Sequence, residues 1–201
     1  MQGKNLHDLN ANAAARLVSM LPQHPLAPEG LQVGSLVARG RHPWQRRFGG
    51  LSDIDKRAVE KACDETNIAH LLDSSVDSLS GGQRQRVWLA MVLAQDTPVI
   101  LLDEPTTFLD PANAIVMLQL VRRQAEAGKT VVMVLHDLTL ASQYSDTIFI
   151  MKDGEVLAQG SPKEALTPDA LARVYGLEAE VWDDPQSSRP VIVPRGLSAV
   201  V

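Results

Sequence analysis

Residues 79–110 read LSGGQRQRVWLAMVLAQDTPVILLDEPTTFLD, and this stretch determines which fold the sequence predicts. Ser80, Gly81 and Gly82 form a short polar turn, and the apolar-periodic run at 87–94 predicts a helix directly after it. The first backbone N–H groups of a helix have no partner within the helix, and their partial positive charge favours an anion. The turn is therefore a candidate site for phosphate.

A strand that ends in two carboxylates follows this helix. The four residues at 99–102 are all apolar, which indicates a strand buried on both faces. Asp103 and Glu104 come directly after it, and open α/β sheets bind ligands at the carboxyl ends of their strands. One carboxylate can hold Mg²⁺ and the other can polarise an attacking water, as phosphoryl transfer requires. An isolated Asp-Glu pair often has no role beyond ending a strand in solvent. Here the pair follows a glycine turn and an all-apolar strand, which favours a functional site.

A second buried strand is predicted at 130–135, and it ends at His136. A helix capped by Asp110 connects the two strands. A strand, a crossover helix and another strand form a right-handed parallel unit. We therefore expect His136 at the same edge of the sheet as Asp103 and Glu104.

Four motifs in this order resemble those of the ATP-binding cassette (ABC) ATPases. LSGGQ at 79–83 resembles the signature motif, and VILLDEP at 99–105 resembles the Walker B strand. TTFLD at 106–110 resembles the D-loop, and His136 resembles the switch histidine. The resemblance covers most of the chain. It implies an α/β, P-loop NTPase-like fold with a parallel sheet core and an inserted helical subdomain.

The same resemblance implies how the chain is organised. Residues 1–201 would form a single, partial ABC ATPase domain. Within it, 30–95 would be the helical subdomain that carries the signature motif, and 1–29 with 96–160 would be the catalytic core. Residues 161–201 would form a carboxy-terminal extension.

The sequence departs from the family pattern in one respect, because it contains no G-x-x-x-x-G-K-[ST] loop. Gly3-Lys4 is followed by Asn5 and has no glycine five positions upstream, so it is not a phosphate-binding loop. In the family this loop precedes the segment where the present sequence starts. We therefore expect a cassette that is truncated at its amino terminus.

The family pattern assigns the signature turn to a partner's nucleotide. In the family, two cassettes face each other head-to-tail, and each ATP lies between the phosphate loop of one and the signature turn of the other. Carried over by position, Ser80, Gly81, Gly82 and Gln83 would bind the ATP held by the partner subunit, with the turn at its γ-phosphate.

The remaining site residues would act on the chain's own nucleotide. Gln23, after a short strand at 17–21, resembles the Q-loop glutamine, and it would bind Mg²⁺ together with Asp103. Glu104 would be the general base, and His136 would stabilise charge at the γ-phosphate. Asp110 would couple the two sites of the dimer.

The segment ARGRHPWQRRFGG at 38–50 resembles cassettes that serve iron–siderophore, haem and cobalamin importers. Its basic residues would lie near the docking surface for a membrane subunit, or would simply form a solvated loop. We therefore expect an ATP-hydrolysing subunit of an importer for ferric siderophores, paired with a second ATPase subunit and bound to membrane permease subunits.

Two other functions remain open. The chain could be a truncated cassette that lends its signature turn to a partner but is catalytically incompetent alone. It could instead be a soluble ABC ATPase in DNA repair or translation, although the lack of long heptad insertions or a second cassette argues against this.

Composition limits the class of protein and the compartment in which it is expected. A chain of 201 residues with 45% apolar content suits one globular domain, and its net charge of −5 argues against a protein that binds nucleic acid. The longest apolar stretches have about seven residues, far fewer than the ~20 that cross a membrane. The single cysteine indicates a reducing compartment, and the resemblance to ABC ATPases implies a peripheral position at the cytoplasmic face of the membrane.

Overall fold

The computed structural model describes residues 5–45 and 50–198, which fall into two compact units, Met1–Val134 and Leu135–Val201. Each unit has its own cluster of buried apolar side chains. The sequence-based division into a helical subdomain, a catalytic core and a carboxy-terminal extension remains a prediction.

The first unit combines helices with a small parallel sheet. In its described residues the α-helices are α1 (Ala11–Ala15), α2 (Val33–Ala38), α3 (Asp53–Glu65), α4 (Gly81–Ala94) and α5 (Pro111–Glu126). Its strands are β1 (Val18–Leu21), β2 (Val99–Asp103) and β3 (Thr130–Val134). Short 3₁₀ turns lie at Leu6–Asp8, Arg39–Trp44, Ala69–Leu71 and Val76–Ser78.

The sheet has the order β1-β2-β3, and both pairings are parallel. Leu21 at the end of β1 is in register with Leu102, and Asp103 at the end of β2 is in register with Val134. The helix α5 connects β2 to β3, as the parallel pairing requires. The predicted parallel strand–helix–strand unit is therefore confirmed.

The prediction that both strands are buried on two faces is wrong. Ile100 and Leu102 are only 2% exposed, but Met20, Val132 and Val134 on the opposite face are 51%, 54% and 51% exposed. The buried face packs into the core formed with the helices of the unit. Because that core takes up one face only, burial alternates along each strand with the two-residue period of the pleat.

The main helices of the first unit begin at side-chain caps. Ser52 and Asp55 form a reciprocal capping box at the start of α3, in which each side chain accepts from the other residue's backbone N–H. Asp110 caps α5, and Pro111 occupies its first turn. The cap at Asp110 is a confirmed prediction, and both caps join residues that are close together in the sequence.

A buried ion pair joins three elements of this unit. Arg41 and Asp55 are each 4% exposed, and the guanidinium Nε lies 2.9 Å from the carboxylate Oδ1. Arg41 also donates to the carbonyl oxygens of Ala94, at 2.8 Å, and Gln95, at 3.3 Å, at the end of α4. The hydrogen bond from the Ser52 side chain, together with Arg41, lowers the pKa of Asp55 against the opposing effect of burial.

This pair corrects the interpretation of Arg41 within the basic segment 38–50, whereas Arg39 is exposed and the docking surface remains a prediction. Arg41 belongs neither to a solvated loop nor to a docking surface, because its guanidinium is enclosed by the elements it connects. The neighbouring Gly40 explains how the segment comes so close to α4: a Cβ atom there would overlap the carbonyl oxygen of Met91. Residues 46–49 of the segment lie outside the described residues.

The second unit contains two antiparallel strand pairs and short helices. In its described residues the helices are α6 (Leu138–Tyr144), α7 (Pro162–Ala165) and α8 (Pro168–Tyr175). The strands are β4 (Ile148–Lys152), β5 (Glu155–Gly160), β6 (Leu177–Asp183) and β7 (Pro190–Leu197). The strand β4 pairs with β5 and β6 pairs with β7, both antiparallel.

The helices are short relative to the thickness of a membrane. A spanning helix needs about 20 predominantly apolar residues, and α5 has 16. Across residues 5–45 and 50–198, no helix is both long enough and apolar enough to cross a bilayer.

Candidate functional site

The glycine turn at the start of α4 is organised by a capping box. Ser80 is the N-cap residue, and its Oγ accepts from the backbone N–H of Gln83 at 3.3 Å. In return, the Oε1 atom of Gln83 accepts from the backbone N–H of Ser80 at 3.0 Å. The pattern S-x-x-Q predicts this arrangement, and it directs the Gln83 carbonyl oxygen back to the turn.

The capping box leaves two donors at the helix start. Within the described part of the chain, no hydrogen bond engages the backbone N–H groups of Gly81 and Gly82. They lie at the first two helical positions, where the helix dipole is positive. The turn therefore presents two backbone donors and a favourable potential to an anion, as the sequence predicts for a phosphate site.

The two glycines differ in the space around them. A Cβ atom on Gly81 would have no atom within 4 Å. A Cβ atom on Gly82 would lie 2.9 Å from the Cγ atom of Asn113, in the first turn of α5. Gly81 thus faces open space, whereas Gly82 is needed for the close approach of α4 to α5.

The carboxylates at the end of β2 are half-buried. Asp103 is the last residue of the strand, and Glu104 follows it with a positive φ of 48°. A non-glycine residue in this region is uncommon, and such strain occurs often at functional sites. The Oγ1 atom of Thr107 donates to the Oε2 atom of Glu104 at 2.9 Å, which orients the carboxylate.

Gln23 lies at the same edge of the sheet as Asp103. It is exposed and follows Leu21, the last residue of β1, by two positions. Because β1 and β2 are parallel neighbours, their carboxyl ends point to the same edge. His136 follows the end of β3 by two positions, and it belongs to the second unit. The roles predicted for these residues remain predictions.

Both carboxylate oxygens of Asp110 accept hydrogen bonds from Asn113. The backbone N–H of Asn113 donates to Oδ1 at 3.0 Å, and its side-chain Nδ2 donates to Oδ2 at 2.6 Å. These bonds lower the pKa of Asp110 and keep the carboxylate ionised. Asn113 therefore contacts Asp110 and also limits the space beside Gly82.

The sequence reasoning missed three residues that support the site: Thr107, Asn113 and Gln85. Thr107 and Asn113 each stand three positions after a predicted site residue, a spacing typical of local side-chain bonds. Gln85 donates from Nε2 to the carbonyl oxygen of Pro105, which is 20 residues away. No local signal identifies that contact.

The donor set at the strand end fits a magnesium ion that also binds phosphate. The described residues contain no group of three His, Cys, Asp or Glu side chains that could hold a metal by themselves. Mg²⁺ commonly takes one or two protein oxygens and completes its shell with water and substrate phosphates. The Asp103 carboxylate and the Gln23 amide carbonyl are oxygen donors of that kind.

Comparisons with known proteins place this geometry in a family. The family model described as ABC transporter matches residues 1–107. The chain is 44% identical to the iron(3+)-hydroxamate import ATP-binding protein FhuC of Bacillus subtilis over 192 residues, which is 95% of this chain and 71% of that protein. The chain belongs to the ABC transporter family. Its resemblance to the ferric enterobactin transport ATP-binding protein FepC of Escherichia coli is similar, with 44% identity over 99% of this chain and 74% of the relative.

Solved structures of ABC proteins share the fold. An inward-facing metal-chelate type ABC transporter superposes with a TM-score of 0.80 at 26% identity, over 90% of this chain and 73% of that chain. The dimeric bacterial ABC transporter cassette MJ0796 superposes with a TM-score of 0.65 at 28% identity, over 77% and 68%.

These likenesses confirm the predicted fold class and the predicted activity class. The chain is an ABC ATPase subunit of the importer type, with a P-loop NTPase-like α/β core. Proteins of this class bind ATP, pair with membrane permease subunits and dimerise.

Proposed function

We propose that this chain is the ATP-binding and ATP-hydrolysing subunit of an importer for ferric siderophores. The likeness to two ferric-chelate import ATP-binding proteins at 44% identity carries the proposal. Two features of the structure support it: the turn at Ser80, which presents two backbone N–H donors, and the carboxylate pair at the end of β2. A soluble ATPase of DNA repair or translation is less well supported, because one of those relatives is named for import and the other for transport.

The signature turn contributes to a site shared with a second subunit. The free N–H groups of Gly81 and Gly82 would receive the γ-phosphate of ATP held by the partner. The Ser80 capping box fixes these donors before the nucleotide arrives, so little ordering is needed at the moment of binding.

The strand end contributes to the site on the chain's own nucleotide. Asp103 and Gln23 would hold Mg²⁺, which neutralises developing charge on the phosphates when bound. Glu104 would accept the proton of the attacking water, with its carboxylate oriented by Thr107. His136 would place charge or a hydrogen bond at the γ-phosphate, and Asp110 would link the two sites through Asn113.

The partners follow from the class. A second copy of an ABC ATPase subunit would complete each nucleotide site, and permease subunits would hold the dimer at the cytoplasmic face of the membrane. Transport would be coupled to the closure of this dimer on ATP and its reopening after hydrolysis.

The decisive experiment measures MgATP binding and hydrolysis by the chain alone and in a mixture with a full-length ABC ATPase relative. Turnover above that of the relative alone, either by the chain or in the mixture, would support the proposal. No MgATP binding by the chain and no turnover above that of the relative alone would contradict it. Co-purification with a polytopic permease, and ferric-chelate uptake that depends on the chain, would test the importer assignment itself.

A further inference from the structure

The side chain of Gln85 connects the signature helix to the turn that carries Glu104. Gln85 is half-buried on α4, five residues after the cap at Ser80, and its Nε2 donates to the carbonyl oxygen of Pro105 at 3.0 Å. Pro105 is itself buried and directly follows Glu104. A buried carbonyl without a donor is unfavourable, so this bond has a structural reason to persist.

The turn at 104–110 depends on such support, because its backbone is strained. Glu104 has a φ of 48° and Phe108 a φ of 64°, both in the left-handed region that bulky residues seldom adopt. Inside the turn, the backbone N–H of Thr107 donates to the Glu104 carbonyl and that of Leu109 donates to the Thr106 carbonyl, each at 3.2 Å. Strained conformations of this kind persist only where surrounding contacts hold them.

The start of the signature helix also contacts the far end of this turn. Gly82 lies so close to Asn113 that a Cβ atom would come within 2.9 Å of its Cγ atom. Asn113 in turn binds both carboxylate oxygens of Asp110. The first turns of α4 therefore contact the turn at both of its ends, at Pro105 through a hydrogen bond and at Asp110 through the close packing of Gly82 on Asn113.

We propose that Gln85 is a positioning residue for Glu104, which makes the turn at 104–110 move together with the signature helix. A displacement of α4 would shift the Pro105 carbonyl and, through the adjacent peptide, the Glu104 carboxylate. Engagement of the signature turn by a partner's phosphate would then be transmitted within one subunit to its own water-activating group. This inference rests on the proposed function for the role of Glu104, and its structural part stands without it.

The test compares Gln85→Met with Gln95→Met in the full chain. Gln95 is the matched control, because it is the C-cap residue of the same helix and its Nε2 also donates to backbone carbonyls, those of Ala15 at 2.6 Å and Val18 at 3.1 Å. Gln85→Met removes one hydrogen bond, to the carbonyl of the buried Pro105, and Gln95→Met removes two, to the carbonyls of the half-buried Ala15 and Val18. Only the loss at Gln85 touches the turn that carries Glu104.

The first readout is amide hydrogen exchange at Thr107 and Leu109, which needs no catalytic activity. We expect exchange about tenfold faster in Gln85→Met than in wild type, the size expected for one lost hydrogen bond, and unchanged in Gln95→Met. Should Gln85→Met fail to fold, Gln85→Glu gives the same test, because an ionised carboxylate cannot donate to the Pro105 carbonyl. Equal protection of both amides in wild type and the Gln85 variant would overturn the proposal.

The second readout is ATP turnover in the protein pair that shows activity. Gln85→Met should lower kcat about tenfold, which corresponds to ~1.4 kcal/mol of barrier, with KM changed less than twofold. An equal effect of Gln95→Met on kcat would reduce Gln85 to a merely structural role. Absence of turnover in wild type would instead contradict the proposed function, and the exchange measurement would still decide the coupling.

Discussion

Gly81→Asp should stabilise the fold and abolish phosphate binding at the same time. The position is the first residue of α4, and a Cβ atom there meets nothing within 4 Å, so the side chain fits without rearrangement. A carboxylate at a helix N-terminus stabilises by about 0.3–1 kcal/mol, and replacing glycine adds about 0.4–1 kcal/mol by restricting the unfolded chain. At roughly 2–4 °C per kcal/mol, the melting temperature should rise by a few degrees.

The same carboxylate should repel the ligand. Two unit charges about 4 Å apart at an effective dielectric constant of about 20 repel each other by about 4 kcal/mol, which is close to a thousandfold in affinity. Gly81→Asn is the matched control, because it has nearly the same shape and the same effect on the unfolded chain but carries no charge. Gly82 is unsuitable for this test, since any side chain there would collide with Asn113.

The assay is sedimentation of the chain mixed with a full-length ABC ATPase relative, with and without MgATP. The Gly81→Asn variant should keep most of the ATP-dependent association, and Gly81→Asp should lose it while melting at a higher temperature than wild type. If Gly81→Asp associates with the relative as tightly as Gly81→Asn, the start of α4 does not contact the partner's phosphate, and the reasoning is refuted.

Three further predictions concern the rest of the site and the core. Glu104→Gln should leave ATP binding intact and reduce turnover at least about 100-fold, as measured by phosphate release; substantial remaining turnover would reject Glu104 as the general base. His136→Ala should lower kcat far more than nucleotide affinity, and an equal loss of both would indicate a structural role. Arg41→Met should cost about 3–5 kcal/mol in denaturant unfolding at pH 7, because it leaves the Asp55 carboxylate buried without its partner. Asp55 has a lowered pKa in the folded protein, so the stability it provides is present above its ordinary pKa of 3.8 and is lost as the pH falls through the lower folded value. The difference in unfolding free energy between wild type and Arg41→Met should therefore become smaller in acid. A difference in unfolding free energy that stays constant down to pH 2 would show that the ionised Asp55 carboxylate is not its source.

The features that the sequence predicts well are those decided by neighbouring residues. The capping box at Ser80 and Gln83 follows from residue types three positions apart, and the helix cap at Asp110 follows in the same way. The parallel pairing of β2 with β3 follows from two strands joined by a helix. These local rules were enough to place Asp103 and Glu104 at a strand end.

The features that the sequence does not predict depend on distant contacts. The sequence predicts that Val132 belongs to a buried strand, yet it is 54% exposed. The apolar character of a side chain does not indicate whether a second layer of structure covers it. Arg41 reads as a surface charge, yet the carbonyls that accept from it lie 53 and 54 residues away along the chain. Gln85 binds Pro105 across 20 residues. Each of these required the folded chain, since no nearby residue signals the partner.

The uncovered side of the parallel sheet has a practical consequence for every binding assay on this chain. Met20, Val132 and Val134 lie on the same face of the sheet, and each is slightly more than half exposed. Exposed apolar faces of this kind bind hydrophobic dyes and adhere to one another as concentration rises. Self-association without nucleotide is therefore to be expected, and only the increment that MgATP adds reports on the signature turn.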